Sequence, residues 1–288
     1  MPDPLQPLIG SISDTARWVA AYRARETGRA DALFRDPYAR RLAGDHGEDI
    51  ARAHRFTEQH SWPMIMRTYL FDGFIADELG GGADLVVNLA AGLDARPYRL
   101  PLADTLRWVE IDLPDLLAYK EQVLAGDSPR CRLQRIALDL RDVAARREML
   151  HETCRGATRP VALTEGLLIY LSAEDVCALA DDLAAAGFER WIVDLASPAL
   201  LDLMLREMSE LVTQAGAPYR FAPPEGPDFF RQCGWLPADV HSTFRTAARL
   251  DRLPSELQAF ANYPDPPEPW KLPLPWSATV RLARASPR

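Results

Sequence analysis

No apolar run in this 288-residue sequence reaches the ~18 residues that a membrane-spanning helix requires, so no helical span is expected. Residues 1–16 hold Pro2, Pro4, Pro7, Asp3 and Asp14, with no basic start ahead of an apolar block. A secretory signal is therefore not read there, and the expectation is a cytoplasmic protein. Cysteine is sparse: Cys131, Cys154, Cys177 and Cys233 are scattered, with no C-x-x-C pair and no histidine at ligand spacing. Neither a metal site nor a disulfide is expected from this pattern, and reduced, mostly buried thiols are the reading. No Gly/Ser-rich stretch or charge run divides the chain, which reads as one domain with enough apolar residues (48%) for a sizeable core. Repeats and low-complexity segments are also missing. Excess positive charge is lacking too, since the net charge is −8. Nucleic acid and anionic membrane are thus not expected partners, which leaves a small-molecule or protein substrate.

What is present is a helical start followed by alternation. Over residues 11–80 the apolar positions recur at helical spacing, as in Ile65, Tyr69, Phe71, Phe74, Ile75 and Leu79. Asp36 and Pro37 interrupt this run as a helix start, and Gly80, Gly81 and Gly82 end it. Strands are then predicted over Asp84–Leu89, Arg107–Ile111, Arg132–Leu138, Pro160–Thr164, Phe188–Leu195 and Ala278–Ala283. Between them lie helices opened by Pro114, by residues near 142, by a Ser172/Asp175 capping box, and by Pro198. Residues 253–276, with seven prolines, read as a surface loop. Strand–helix alternation predicts an α/β fold, with a mostly parallel sheet and helices on both faces. Ligands of such sheets sit beyond the carboxyl ends of the strands.

Those ends carry the chemistry. Ala90, Ala91 and Gly92 follow the first strand and make a turn that a ligand can approach closely. Asp112, 20 residues past Gly92, ends the second and suits hydrogen bonds to a ribose diol. Asp139 and Leu140 follow the third, where a carboxylate beside an apolar residue can grip an adenine. Glu165 follows the fourth, with Tyr170 close by. Each has a plainer reading, since Asp112 and Asp139 can also cap helices and the glycine turn can be an ordinary tight loop. Their succession at four strand ends favours a nucleoside-type ligand. The turn lacks the G-x-G-x-x-G of pyrophosphate binding, and Asp94 would repel a phosphate. S-adenosylmethionine (AdoMet), which has no phosphate, tolerates such a turn.

The string from Val87 to Leu100, V-N-L-A-A-G-L-D-A-R-P-Y-R-L, resembles the N-L-G-A-G-L-D-T-R-P-Y-R-L signature of the leucine carboxyl methyltransferase family. Three further strings resemble its next motifs in the same order: Glu110–Pro114, the Leu138-Asp139-Leu140 step, and Thr164–Leu171 (T-E-G-L-L-I-Y-L). Upstream, Tyr22–Glu26, Arg35–Ala39 and Arg67-Thr68 are similar to its N-terminal cap, and Phe229-Phe230 with Gly234-Trp235 to a late motif. The resemblance implies a Rossmann-like class I methyltransferase: a seven-stranded, mostly parallel sheet over 81–288 under a helical cap over 11–80. It implies AdoMet as cofactor and O-methyl transfer to a small-molecule carboxylate or hydroxyl. It also implies roles: Arg67, with Arg23 a second candidate, for the methionine carboxylate; Ala90 and Gly92 for the turn; Asp112 for the ribose; Asp139 and Leu140 for the adenine; Glu165 for the amino-acid end. Ala90 stands where the family has Gly, and Ala95 where it has Thr. The extra methyl of Ala90 is expected to lower affinity for AdoMet.

A carboxylate acceptor arrives ionised and needs no base, whereas a hydroxyl does. None of the five histidines sits in a strand-end motif, which favours a carboxylate. His60 and Tyr170 are the candidates for the acceptor side, although packing accounts for either. Two other functions stay open from the sequence: a non-catalytic AdoMet-binding protein and a nicotinamide-dependent oxidoreductase.

Overall fold

The computed structural model describes residues 12–53, 61–214, 218–262 and 267–285. The chain opens with three helices, α1 (Ile12–Thr27), α2 (Ala39–Ala53) and α3 (Trp62–Gly80). There follow β1 (Leu85–Leu89), the single turn α4 (Arg96–Arg99), β2 (Arg107–Asp112), α5 (Pro114–Leu124), β3 (Arg132–Ala137), α6 (Val143–Cys154) and β4 (Pro160–Thr164). The second half holds α7 (Ala173–Ala186), β5 (Arg190–Ala196), α8 (Pro198–Gln214), β6 (Trp235–Ser242), α9 (Thr243–Arg249), α10 (Ser255–Gln258) and β7 (Ser277–Arg284).

The strands form one seven-stranded sheet, as expected, and its order is β3-β2-β1-β4-β5-β7-β6. Strands β1 to β5 are parallel, and β7 runs antiparallel to both β5 and β6. β1 and β4 are buried at every position, which explains why they read as unbroken apolar runs. Helices cover both faces. On one, Phe71, Phe74 and Ile75 of α3 pack on Val86, Trp108, Val161, Leu163 and Ile192. On the other, Leu150, Val176, Leu179 and Leu183 pack on Val87, Ala162, Trp191 and Val193. Trp108 and Trp191 are fully buried, and side chains of that size dominate the hydrophobic stabilisation of each layer. The Ser172/Asp175 capping box forms as expected, and Asp142 caps α6 through Ala145 N at 3.1 Å. Chain order reverses between β1 and β4, so the switch point lies above those two carboxyl ends.

Two sequence expectations are corrected. Cys177 of α7 and Cys233, in the 3-10 turn Gly226–Cys233 before β6, form a disulfide, where reduced thiols were expected. The partners lie 56 residues apart, so local spacing carries no trace of the pairing. Cys131 and Cys154 are free thiols. The proline-rich stretch contains α10 and a 3-10 turn, Pro269–Lys271, in addition to loop. β6 is a strand that the apolar pattern does not mark. Pro237, Ala238 and Asp239 interrupt its alternation, and the register slips between Pro237 and Asp239 at this sheet edge.

Candidate functional site

Directly after β1 the backbone turns back on itself. Ala90 and Gly92 both take left-handed dihedrals, φ 55° and 51°. A β-carbon on Gly92 would find ordinary space, with Ala16 Cβ of α1 at 3.7 Å, so the backbone conformation is what demands glycine. Gly92 N donates to Asp112 Oδ2 at 2.6 Å, and Leu113 N donates to Asp112 Oδ1 at 2.7 Å. Asp112 thus ties the β1 turn to the end of β2. Each of its oxygens has capacity for a further donor. Burial pushes the Asp112 carboxyl above the usual range, and the Gly92 and Leu113 N–H groups offset this only in part.

Asp112 is in register with Ala137, so Asp139 and Leu140 emerge beside it. The Asp139 carboxylate pairs with Arg141 at 2.6 Å, which holds it below the usual range, and Leu140 packs on the core.

Beyond β4 lies the densest charge cluster. Glu165 accepts from Arg67 Nε at 3.1 Å and from Arg96 Nη1 at 2.7 Å. Arg67 Nη1 also reaches Asp194 Oδ2 at 3.3 Å, and Asp194 Oδ1 accepts from Gly166 N at 2.7 Å. A β-carbon on Gly166 (φ 69°) would stand 3.1 Å from Arg67 Nη1, so glycine lets the guanidinium lie against the backbone. Arg96, 2% exposed, bonds three carboxylates: Asp72 at 2.6 Å, Asp94 at 2.9 Å and Glu165 at 2.7 Å. Arg99 donates to both oxygens of Asp72, from Nη2 to the same Oδ1 at 2.6 Å and from Nη1 to Oδ2 at 2.7 Å. Burial alone would raise the Asp94 carboxyl, but the charges of Arg96, Lys120 and Arg99 outweigh it and hold Asp94 at about 2. Glu165 is lowered the same way by Arg96 and Arg67, whereas burial wins at Asp194 and raises it. Four carboxylates (Asp72, Asp94, Glu165, Asp194) meet three guanidiniums (Arg67, Arg96, Arg99). With all of them ionised, the cluster carries one negative charge in excess.

Arg23 is placed differently from Arg67. Its Nε pairs with Asp36 at 2.9 Å and its Nη2 donates to Leu93 O at 2.6 Å, so it fastens α1 to the turn. The Tyr170 hydroxyl bonds Thr15 of α1 and Tyr219, its ring stands 5.4 Å from that of Tyr219, and burial raises its pKa. His60 lies outside the described residues. Trp18 and Trp62 pack on Tyr22 and Phe244 respectively. Among the described residues no cluster of His, Cys, Asp and Glu is arranged to hold a metal, and no helix is long and apolar enough to cross a membrane.

The sequence reading missed Arg96 and Asp194. Asp194 was visible as an acid inside the apolar strand W-I-V-D-L, and Arg96 as the basic residue two beyond Asp94.

Residues 16–184 match the family described as leucine carboxyl methyltransferase. The chain belongs to that family. A relative from Parafrankia sp. is 31% identical over 85% of this chain and 84% of its own length. One from Mycobacteroides abscessus is 37% identical over 62% of this chain and 64% of its own, so the match spans just under two thirds of that relative. Both carry the name "Putative S-adenosyl-L-methionine-dependent methyltransferase". The fold is shared with a crystal structure from Thermobifida fusca, at TM-score 0.58 and 16% identity over 99% of each chain. The class is accordingly that of a class I methyltransferase with S-adenosylmethionine as cofactor.

Proposed function

We propose that this chain transfers the methyl group of AdoMet to an oxygen of a small anionic acceptor, with the donor held across the carboxyl ends of β1 to β4. The observation that supports this is the convergence there of the Gly92 turn, Asp112, Asp139 and the Arg67–Glu165 pair. The residues fit the cofactor: Asp112 keeps acceptor capacity for two ribose hydroxyls, and Asp139 and Leu140 offer a polar and an apolar contact for the adenine. Arg67 and Glu165 offer opposite charges to the two ends of an amino acid. The negative excess of the cluster suits a ligand with net positive charge. When bound, AdoMet supplies a methyl carbon activated by an adjacent sulfonium.

The protein's part is alignment and exclusion of water. Tyr170, whose burial keeps its proton on at neutral pH, serves as a hydrogen-bond donor and not as a base. Among the described residues no histidine bonds into the Arg67 cluster: His46 pairs with Asp14 and His241 stacks on Phe74. Among the described residues the cluster offers donors and no histidine base, which favours an acceptor that arrives ionised, that is, a carboxylate.

Calorimetric titration with AdoMet and S-adenosylhomocysteine (AdoHcy), repeated on Asp112→Ala and Arg67→Ala, tests the donor site. Binding by the unmutated protein that both substitutions weaken at least tenfold supports it. Unchanged binding in both variants would sink the assignment. Transfer of labelled methyl from AdoMet to a panel of carboxylic acids, against the same panel of phenols, then separates the two acceptor chemistries.

A further inference from the structure

Beside β7 and β6 the same edge of the sheet carries a groove of about 470 Å³ that the donor site does not use. Its place is fixed by β7: Trp276 O accepts from Ser197 N at 2.8 Å, and Trp276 N donates to Ser197 Oγ at 3.1 Å. Ser197 lies three residues beyond Asp194, so roughly 10 Å of extended chain separates the groove from the Arg67 cluster. Trp270 and Trp276, with ring centroids 5.4 Å apart at 58°, form one wall. Trp270 lies flat on Gly226, where any β-carbon would overlap its ring, so the wall is packed in place. Trp276 is only 7% exposed, and neither its indole Nε1 nor that of Trp270 has an acceptor among the described residues. Both nitrogens are buried, so what the two indoles offer the groove is aromatic surface.

The opposite side is cationic. Arg245 and Arg249 of α9 line the groove together with His241 and Thr246. The Arg249 side chain makes no ion pair or hydrogen bond with any described residue. Among the described residues no carboxylate belongs to the lining, in a chain whose net charge is −8. Indole walls select a planar π-system, and guanidiniums select oxyanions.

We propose that this groove binds a planar aromatic carboxylate, and that it is where the methyl acceptor is recognised. The second clause rests on the methyl-transfer reading above; the first does not. The probe is 2-naphthoate, followed by quenching of tryptophan fluorescence, with neutral 2-naphthamide as its isostere. Saturable quenching by the naphthoate, about tenfold weaker binding of the amide, and about tenfold weaker naphthoate binding in both Arg249→Ala and Arg249→Gln are expected. AdoHcy binding measured on the same variants should not change, which shows that they are folded. Equal binding of naphthoate and amide, or naphthoate binding indifferent to both Arg249 substitutions, overturns the groove assignment. A protein that binds AdoHcy but not naphthoate loses the groove and keeps the donor site. One that binds naphthoate but not AdoHcy keeps the groove and loses the donor reading.

Discussion

Ala90 is a non-glycine residue held at φ 55°, a conformation that costs an L-residue about 1–2 kcal/mol. Ala90→Gly removes that cost, so the variant should be more stable by about 1 kcal/mol in urea denaturation, after allowance for the freer unfolded chain. A variant no more stable than the parent would show that the turn is not strained. Asp94 makes a prediction of opposite sign. Its folded-state carboxyl sits at about 2, below the ~3.9 of an unfolded chain, so the ionised form stabilises the fold. That contribution is present above pH ~4 and is lost as pH falls towards 2. Asp94→Asn should therefore lose roughly 2 kcal/mol at pH 7 and at pH 5, and the gap to the parent should narrow by pH 3. A gap independent of pH would mean that packing, not charge, holds Asp94. The paired residues also show what a one-dimensional reading can reach. Glu165, Asp112 and Gly92 were legible because each stands at a strand end. Arg96 and Asp194 were not, because charge reads as surface until partners 69 and 28 residues away, Glu165 and Gly166, are seen to bury it.

Secondary structure was legible wherever burial was continuous. β1, β2, β4 and β5 announce themselves as apolar runs, and the Ser172/Asp175 box fixes the start of α7. β6 escaped because an edge strand buries one face at most and this one carries a bulge. The Cys177–Cys233 link belongs to this scale, since it ties α7 to the turn that carries Phe229 and Phe230 into the core. Closing a loop of that separation removes unfolded-state entropy worth about 4 kcal/mol in the chain-entropy model. Reduction should therefore lower stability by 2–4 kcal/mol, measured by urea denaturation with and without a phosphine reductant. Thiol titration provides the control. Burial pushes Cys131 up to about 11 and Cys154 up to about 12, so the folded, oxidised protein should react slowly at neutral pH. Four thiols should appear after unfolding under reduction.

Across the whole molecule the sheet supplies a rigid row of strand ends, and the helical start of the chain is laid over it. α1 meets that row at three places. Ala16 stands over the Gly92 turn, Thr15 bonds the Tyr170 hydroxyl, and Arg23 grips Leu93 O. One helix thus touches both the turn proposed for the donor and Tyr170, the residue the sequence offers for the acceptor side. On the proposed donor site, a spent cofactor would lie under that helix and would leave by breaking some of these contacts. The chemical step would then outrun departure. Rapid mixing of enzyme and labelled AdoMet with a working acceptor should show a burst of methylated product close to one per enzyme, followed by a slower steady rate. Arg23→Ala, which frees one of the three fastenings, should raise the steady rate and leave the burst in place.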